Sequence, residues 1–209
     1  KDYIVIIDRK GKIYVVDRRG STRVKINRQF KLLANNTYFI DKAKNISKTR
    51  ILTTDSTGKV FSIYFDGSID SILFNDFLST PFFDYKDIDN DGVKEYVFLD
   101  KNELFVFNRD NSLVYSSIFD SNISHKPMFF SFSGKITKIG VVSEKANELY
   151  LFNPDGTLSE GFPMYGNTPF SIADINSAQG GSTSGGKDKQ LNLITGAPNN
   201  FVYIYTIVR

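Results

Sequence analysis

The sequence predicts an all-β protein made of about five repeated units, and two observations carry this prediction. First, an apolar segment recurs with starts spaced by 47, 44, 45 and 53 residues, and all but the last copy end in a turn rich in Asp, Asn and Gly: IYVVDRRG (13–20), VFSIYFDG (60–67), LFVFNRDN (104–111), LYLFNPDG (149–156) and VYIYTIVR (202–209). Second, another apolar segment precedes each copy across a short polar connection: YIVIID, RILTTD, EYVFLD, KIGVVS and LNLITG. Two such runs with a short polar link predict a β-hairpin.

Weaker strand signals flank most of these hairpins. The upstream ones are YFI (38–40), PFFDYKDI (from 81), MFFSF (from 128) and PFSIADI (from 169), and the downstream ones are TRVKI, SIDSILF, SLVYSSIF and LSEGFPM. Four antiparallel strands in about 45 residues are typical of β-propeller blades. We therefore predict an all-β β-propeller of about five four-stranded blades, in units of approximately 1–34, 35–79, 80–126, 127–167 and 168–209. A helical fold is excluded because no segment shows sustained 3.6-residue periodicity.

The end blades are predicted to be incomplete. The first unit lacks an opening strand, and the last stops after its third strand. The longer final spacing has a local cause, the tract SAQGGSTSGGKDK (177–189), whose Gly/Ser composition predicts a mobile connection. We interpret 1–209 as a single propeller domain and as the C-terminal part of a larger chain.

Composition limits the classes of function. The chain has no cysteine, which excludes disulfides and thiolate metal sites, and no apolar run approaches the roughly 18 residues of a membrane span. A formal net charge of +3 gives little support to nucleic-acid binding. The single histidine, His125, stands between two units without a nucleophile motif and is predicted to be a loop residue.

Charge is unevenly distributed along the chain. Residues 1–50 hold 14 Lys and Arg against 4 Asp and Glu. Blade geometry predicts that Arg18 and Arg19 lie on one side of the protein with 87–95 and 177–189, and that a second basic group lies towards the other side: Arg9, Lys10, Lys12, Arg28 and Lys31. Such a surface suits an acidic partner or a polyanionic glycan. The alternative is that these side chains are merely solvated.

One stretch, DIDNDGVKE (87–95), carries a candidate site. Together with LYLFNPDG (149–156), EGFPM (160–164) and PFSIADIN (169–176), it resembles the FG-GAP/VCBS-type β-propeller repeat. In that family a strand ends in D-x-D-x-D-G-x-x-D/E and a later one near N-x-D-G, with G-F-P leading to the next blade. The resemblance covers nearly the whole chain as a repeat, and it implies an extracytoplasmic location, either periplasmic or on the cell surface. The complete acidic loop occurs only in the third unit.

The chemistry of this loop predicts a calcium site. Asp87, Asp89, Asp91, the Val93 carbonyl and Glu95 offer only oxygen ligands on a flexible turn, which suits Ca²⁺ better than Mg²⁺ or transition metals. It is not an EF-hand, because the twelfth position is Phe98 instead of glutamate. A metal-free Asx turn remains an alternative. A catalytic carboxylate pair is less favoured, because such pairs flank a cleft and do not crowd one turn.

These features favour a non-catalytic binding or scaffold module with one calcium-stabilised blade and a protein or glycan partner. No membrane insertion and no catalytic residue is expected. Two alternatives remain open. The chain could be the propeller domain of a secreted enzyme of the polysaccharide lyase or quinoprotein type, or a structural adaptor that packs on another domain of its own chain.

Overall fold

A computed structural model describes residues 2–30, 37–132, 136–173 and 191–207, and these form five antiparallel sheets. The strands in chain order are β1 Ile4–Ile7, β2 Ile13–Val16, β3 Thr22–Val24, β4 Phe39–Asp41, β5 Arg50–Thr54, β6 Val60–Tyr64, β7 Ile69–Ile72, β8 Phe82–Lys86, β9 Glu95–Asp100, β10 Glu103–Phe107, β11 Leu113–Ile118, β12 Met128–Ser131, β13 Thr137–Ser143, β14 Glu148–Phe152, β15 Met164–Tyr165, β16 Ser171–Ala173, β17 Leu191–Gly196 and β18 Val202–Ile207. The helical structure within these ranges is one 3-10 turn at Ile46–Lys48. The all-β prediction and its five repeated units are confirmed.

The three central sheets have four strands each, in the orders β4-β5-β6-β7, β8-β9-β10-β11 and β12-β13-β14-β15. The first and last sheets have three, β1-β2-β3 and β16-β17-β18. Within the described residues, the first sheet therefore lacks the opening strand of the other four, and the last lacks the closing strand. This matches the prediction of incomplete end units.

Each sheet is built around an inner hairpin, which is the pair β1/β2, β5/β6, β9/β10, β13/β14 or β17/β18. Strands β5 and β9 are buried along their whole length, whereas β7 and β11 on the outer edges are largely exposed. A strand covered on both faces has no side facing solvent, and the centres of these two strands, 51–52 and 96–99, are apolar on both faces.

One predicted strand is wrong in extent. LSEGFPM (158–164) was expected to pair along its length, but only Leu158 forms a bridge, to Phe152, and β15 is the two-residue strand Met164–Tyr165. Two residues explain the interruption. Gly161 has a left-handed φ of 82°, and Pro163, which follows a cis peptide bond, has no N–H to donate to a neighbouring strand.

The chain divides into two compact units, Lys1–Tyr85 and Lys86–Arg209. The first has a core around the buried Ile13, Val15, Ile51 and Ile63. A core of the second contains the buried Val142, Leu149, Phe170 and Leu193. The Gly/Ser tract predicted to be mobile, 177–189, lies outside the described residues, as does Lys31. No helix in the described ranges has the length and apolar character needed to cross a membrane.

A five-residue turn follows the inner hairpin in each of the first four sheets, and we call it the outer turn. It spans 17–21, 64–68, 108–112 and 153–157, and its first residue accepts a hydrogen bond from the N–H of its fourth. The fourth residue is left-handed every time, as Gly20, Gly67, Asn111 or Gly156. This geometry favours glycine or asparagine, which is the origin of the repeated Asp, Asn and Gly signal in the sequence.

Two glycines of the first sheet share a φ of +77° but have different surroundings. A Cβ on Gly11, in the β1–β2 turn, would lie 1.6 Å from the carbonyl oxygen of Phe30, whereas a Cβ on Gly20 would have no heavy atom within 4 Å. We expect Gly20→Ala to lower the free energy of unfolding by about 1–2 kcal/mol, the cost of left-handed backbone for an L-residue. Gly11→Ala should cost about 1–3 kcal/mol more, because backbone atoms must shift. Urea unfolding of the two variants measures the difference, and equal losses would contradict the close approach of Phe30.

Candidate metal centre

The predicted calcium loop connects β8 to β9 in the third sheet. It turns through two left-handed residues, Asn90 with φ 64° and Gly92 with φ 88°. Carboxylates accept three of its backbone N–H groups: Asp89 from Asp91 at 3.1 Å, Asp87 from Gly92 at 3.1 Å, and Asp91 from Val93 at 2.6 Å. The acidic side chains thus first satisfy the backbone of their own turn.

Three of the predicted ligands come together. One carboxylate oxygen from each of Asp87, Asp89 and Glu95 lies within 4.8 Å of the others. Glu95 begins β9 with 7% of its surface exposed, and its Oε2 accepts the Ile88 N–H at 2.8 Å. Asp87 Oδ1 is buried and has no hydrogen-bond partner. A buried carboxylate oxygen without a donor is costly unless a cation or a proton neutralises it.

The crowding of negative charge changes the acidity of Glu95. Burial, with smaller contributions from the carboxylates of Asp89, Asp87 and Asp91, raises the pKa of Glu95 to about 7, although the hydrogen bond from Ile88 acts in the opposite direction. A bound cation would favour the ionised form. The local electrostatics therefore favour either a proton or a metal ion.

The other two predicted ligands are placed less directly. Asp91 is outside the three-carboxylate group, and its Oδ1 already accepts the short hydrogen bond from Val93. The role of the Val93 carbonyl as a ligand stays a prediction. The structure thus groups Asp87, Asp89 and Glu95, with Asp91 next to them.

The second and fourth sheets have a basic residue at the position that corresponds to Glu95. Arg50 pairs with Tyr64, the first residue of its outer turn. In the third sheet Tyr96 pairs with Phe107, so the preceding residue, Glu95, stands opposite Asn108. In the fourth sheet Ile139 pairs with Phe152, so Lys138 stands opposite Asn153. Asn108 and Asn153 are each the first residue of an outer turn, as Tyr64 is. The second and fourth sheets therefore carry a positive side chain at the start of this strand, where the third sheet carries a negative one.

Arg50 shows what such a built-in cation does. Its guanidinium is nearly buried and bonds Asp41 at 3.0 Å, Ser62 at 3.1 Å and Tyr85 at 3.2 Å. Tyr85 also donates to Asp41 at 3.1 Å. The sequence interpretation missed this cluster, although aligning KTRILTTD, VKEYVFLD and ITKIGVVS would have placed Arg50, Glu95 and Lys138 in one column.

The contact between Lys138 and Ser159 brings a hydroxyl close to a basic side chain. Lys138 donates to Ser159 at 2.9 Å, and burial lowers the pKa of this lysine. However, Ser159 is only 4% exposed and its own proton goes to Asn153 at 3.1 Å. A serine nucleophile must be accessible and must donate its proton to the base, so this pair does not have the geometry of a nucleophile and its base.

His125 lies in the segment between β11 and β12, as predicted for a loop residue. Its Nε2 is 3.8 Å from Glu144 Oε2, and the same oxygen accepts the hydroxyl of Ser124 at 2.8 Å. The serine proton thus goes to the carboxylate and not to the imidazole. This arrangement differs from the serine–histidine–acid order of hydrolytic triads.

Comparison with known proteins shows similarity in fold only. No protein-family model and no curated protein sequence matches the chain. The chain is similar to BBS1N, crystallised in complex with ARL6DN and soaked with mercury, with a TM-score of 0.56 and 14% identity over 99% of this chain and 57% of that chain. The lead-soaked crystal of the same complex has a TM-score of 0.55 and 13% identity, covering 99% of this chain and 56% of that chain. Selenomethionine-substituted virginiamycin B lyase from Staphylococcus aureus has a TM-score of 0.48 and 11% identity, covering 99% of this chain and 70% of that chain.

The likeness to BBS1N supports the predicted β-propeller class. At 14% identity it shows the fold alone, and this chain spans little more than half the length of BBS1N. Activity and partners do not follow from it.

The raised pKa of Glu95 predicts a pH-dependent stability in metal-free solution. Below about pH 4.5 the side chain is protonated in both the folded and the unfolded chain; between pH 4.5 and about 7 only the folded state keeps the proton. The free energy of unfolding should therefore fall by about 1–3 kcal/mol as the pH rises through this window. Glu95→Gln should lack this component, because an amide does not titrate. Parallel denaturant titrations of both proteins in a chelator measure it, and identical pH profiles would show that Glu95 is not perturbed.

Proposed function

We propose that this chain is a non-catalytic β-propeller module in which one Ca²⁺ stabilises the third blade and whose loops bind a protein partner. The observation that carries the proposal is the group formed by Asp87, Asp89 and Glu95 around the buried, unpartnered oxygen of Asp87. In this interpretation the five sheets are blades, and the FG-GAP/VCBS resemblance describes their repeat.

The donor set favours calcium over other cations. Every donor is a carboxylate or carbonyl oxygen, which suits hard cations and not Zn²⁺ or Cu²⁺. Asp87, Asp89 and Glu95 would hold the ion, with Asp91 and the Val93 carbonyl completing a shell that Mg²⁺, which demands a tight octahedron, fits less well. We expect a dissociation constant on the order of 10⁻⁴–10⁻³ M, as in extracellular modules.

The neighbouring sheets give a physical reason for a metal ion in this one. In the second sheet the Arg50 guanidinium is the cation that Asp41 requires. The third sheet has Glu95 in place of that arginine, and its carboxylates need a cation from solution. Calcium here would serve the same structural purpose as an arginine there, which makes it a stabilising ion and not a reactive one.

A protein partner is supported by two observations. The similar protein BBS1N was crystallised in complex with ARL6DN. In addition, Arg9, Lys10, Lys12 and Arg28 are all exposed, and the turn 8–12 contacts 29–30 through backbone and side-chain hydrogen bonds. These basic residues lie at the end of β2 opposite to Arg18 and Arg19. A partner with an acidic surface fits this charge. The resemblance to exported propellers is the reason to expect an extracytoplasmic location.

Calcium should raise the melting temperature of the protein. A ligand that binds only the folded state stabilises it by RT ln(1 + [L]/Kd), so a rise should appear at millimolar calcium and grow with concentration. Asp89→Ala should abolish the rise, because it removes one of the three grouped carboxylates. Differential scanning calorimetry in chelator and in calcium measures both.

A matched control for this experiment is Asp110→Ala. Asp110 also accepts turn hydrogen bonds, from the N–H and hydroxyl of Ser112 at 3.1 and 2.7 Å, but it is not one of the three grouped carboxylates. This variant should melt at a lower temperature and keep the calcium response. No response in the wild-type protein, or the same response in Asp89→Ala, would contradict the calcium site.

We also expect no turnover of polysaccharides, esters or quinone-linked alcohols, because Ser159 is buried and Ser124 donates to a carboxylate. A broad activity screen in calcium checks this. A reproducible turnover that a point substitution removes would favour the enzyme alternative.

A further inference from the structure

The first sheet contains a cavity of about 350 Å³ at the end of β2 that is distinct from the acidic loop of the third sheet. Its walls are Asp2, Tyr3, Asp17, Arg18, Arg19 and Arg23. The volume falls within the range of small-ligand pockets. Three guanidinium groups around one small cavity indicate that it recognises an anion.

Arg19 occupies a turn position that carries an aspartate in the other sheets. The third residue of the outer turn is Asp66, Asp110 or Asp155, and each of these accepts the N–H and hydroxyl of the serine or threonine two residues later. In the first sheet the same position is Arg19. The substitution reverses the charge at a position where an acid otherwise stabilises the turn.

Asp17 takes over that structural task. Its Oδ1 accepts the N–H groups of Arg19 at 2.9 Å and Ser21 at 3.0 Å, and Oδ2 accepts Arg23 Nε at 2.8 Å. The turn is therefore stable without any contribution from the side chain of residue 19. The Arg19 side chain forms part of the cavity wall, and the hydrogen bonds of this turn do not require it.

The cavity combines paired and unpaired cations. Arg23 is paired with Asp17, and Arg18 with Asp2. In the part of the chain that the structure describes, Arg19 forms no ion pair. The hydrogen bond from the Ser21 amide, followed by those from Arg19 and Arg23, lowers the pKa of Asp17, so this carboxylate is charged at neutral pH. Three arginines against two aspartates leave the cavity walls with a formal charge of +1.

The remaining wall is aromatic. Tyr3 is partly buried against the first core, and its ring meets Phe65 edge-on with centroids 5.7 Å apart. This side chain offers an apolar surface, and the Asp2 carboxylate in the same wall offers an acceptor for hydroxyl groups. The arginines offer planar, bidentate donors for a carboxylate.

We propose that this cavity binds a singly charged hydroxycarboxylate of the sugar-acid type, with Arg19 as the residue that binds the carboxylate. The hydroxyl groups of the ligand donate to Asp2, and its carbon face lies against Tyr3. A phosphate dianion fits less well, because its charge of −2 exceeds the formal charge of +1 on the cavity walls. It would also lie near the two aspartates. The site is independent of the calcium loop and of the proposed protein partner.

The test uses sodium glucuronate as the probe, followed by ¹H–¹⁵N NMR titration and isothermal calorimetry on the full chain in calcium-containing buffer. Glucuronate should bind in the millimolar range and shift the amide signals of 17–21. Glucose, which keeps the hydroxyls but lacks the charge, and acetate, which keeps the charge but lacks the hydroxyls, should each bind at least about tenfold more weakly, as expected for loss of a charged hydrogen bond or of several neutral ones. Inorganic phosphate should also be weaker than glucuronate.

Arg19→Gln should weaken glucuronate binding by about tenfold or more. Arg9→Gln is the matched control, because it removes the same charge from the same sheet at the opposite end of β2, and it should leave binding unchanged. Absence of glucuronate binding to the wild-type protein, equal losses in the two variants, or phosphate binding as tight as glucuronate would each overturn the proposal. Because melting with calcium is a separate measurement, failure here leaves the proposed calcium site intact.

Discussion

A charged side chain stands at the start of the second strand in each of the three central sheets, and the need to neutralise it shapes the contacts around it. Arg50 and Glu95 are buried there and Lys138 is partly buried, and an isolated charge in such a place is costly. The second sheet meets the constraint with Arg50, which bonds Asp41, Ser62 and Tyr85. The third sheet has Glu95 there, beside two more carboxylates. The fourth has Lys138, whose ammonium bonds Ser159 and lies 5.2 Å from the centroid of the Phe132 ring.

The same backbone frame thus accepts opposite charges because its surroundings change with the residue. Where the residue is a cation, the protein supplies anions, hydroxyls or an aromatic face from nearby strands. Where it is Glu95, the loop before β9 supplies further anions and the balance has to come from a proton or from a cation in solution. One repeat can therefore exchange an internal ion pair for a group of carboxylates without a change in strand register.

Strand positions could be predicted well from the sequence because their physical cause is local. The buried strands β5, β9 and β13 have mainly apolar residues at their centres, and most left-handed turn residues are Gly or Asn. The acidic loop was found for the same reason. The length of β15 could not be predicted in the same way, because two single residues, Gly161 and Pro163, interrupt strand pairing that the surrounding sequence pattern favours.

The spacing of the loop carboxylates does not predict which of them group together and which bond only the backbone of the turn. Asp87, Asp89 and Asp91 alternate regularly, yet Asp91 stays outside the three-carboxylate group and bonds the Val93 amide. That outcome depends on which N–H groups the turn leaves unpaired, and this is known only when its backbone angles are known. The Arg50 cluster and the cavity at Arg19 join residues 35 and 21 positions apart, Arg50 to Tyr85 and Asp2 to Arg23, for which a linear pattern gives no signal.

The last sheet differs from the central sheets in the chemistry of its final described strand. In the described part of the chain, β18 pairs with β17 along one edge, and the closing strand found in the central sheets is missing from its other edge. Val202 and Ile204 are 69% and 61% exposed, and no charged residue or proline interrupts the strand VYIYTI. By contrast, the edge strand β7 of the second sheet contains Asp70. Within the described residues, exposed apolar side chains and a strand without charge occur together on β18, a combination that favours intermolecular strand pairing.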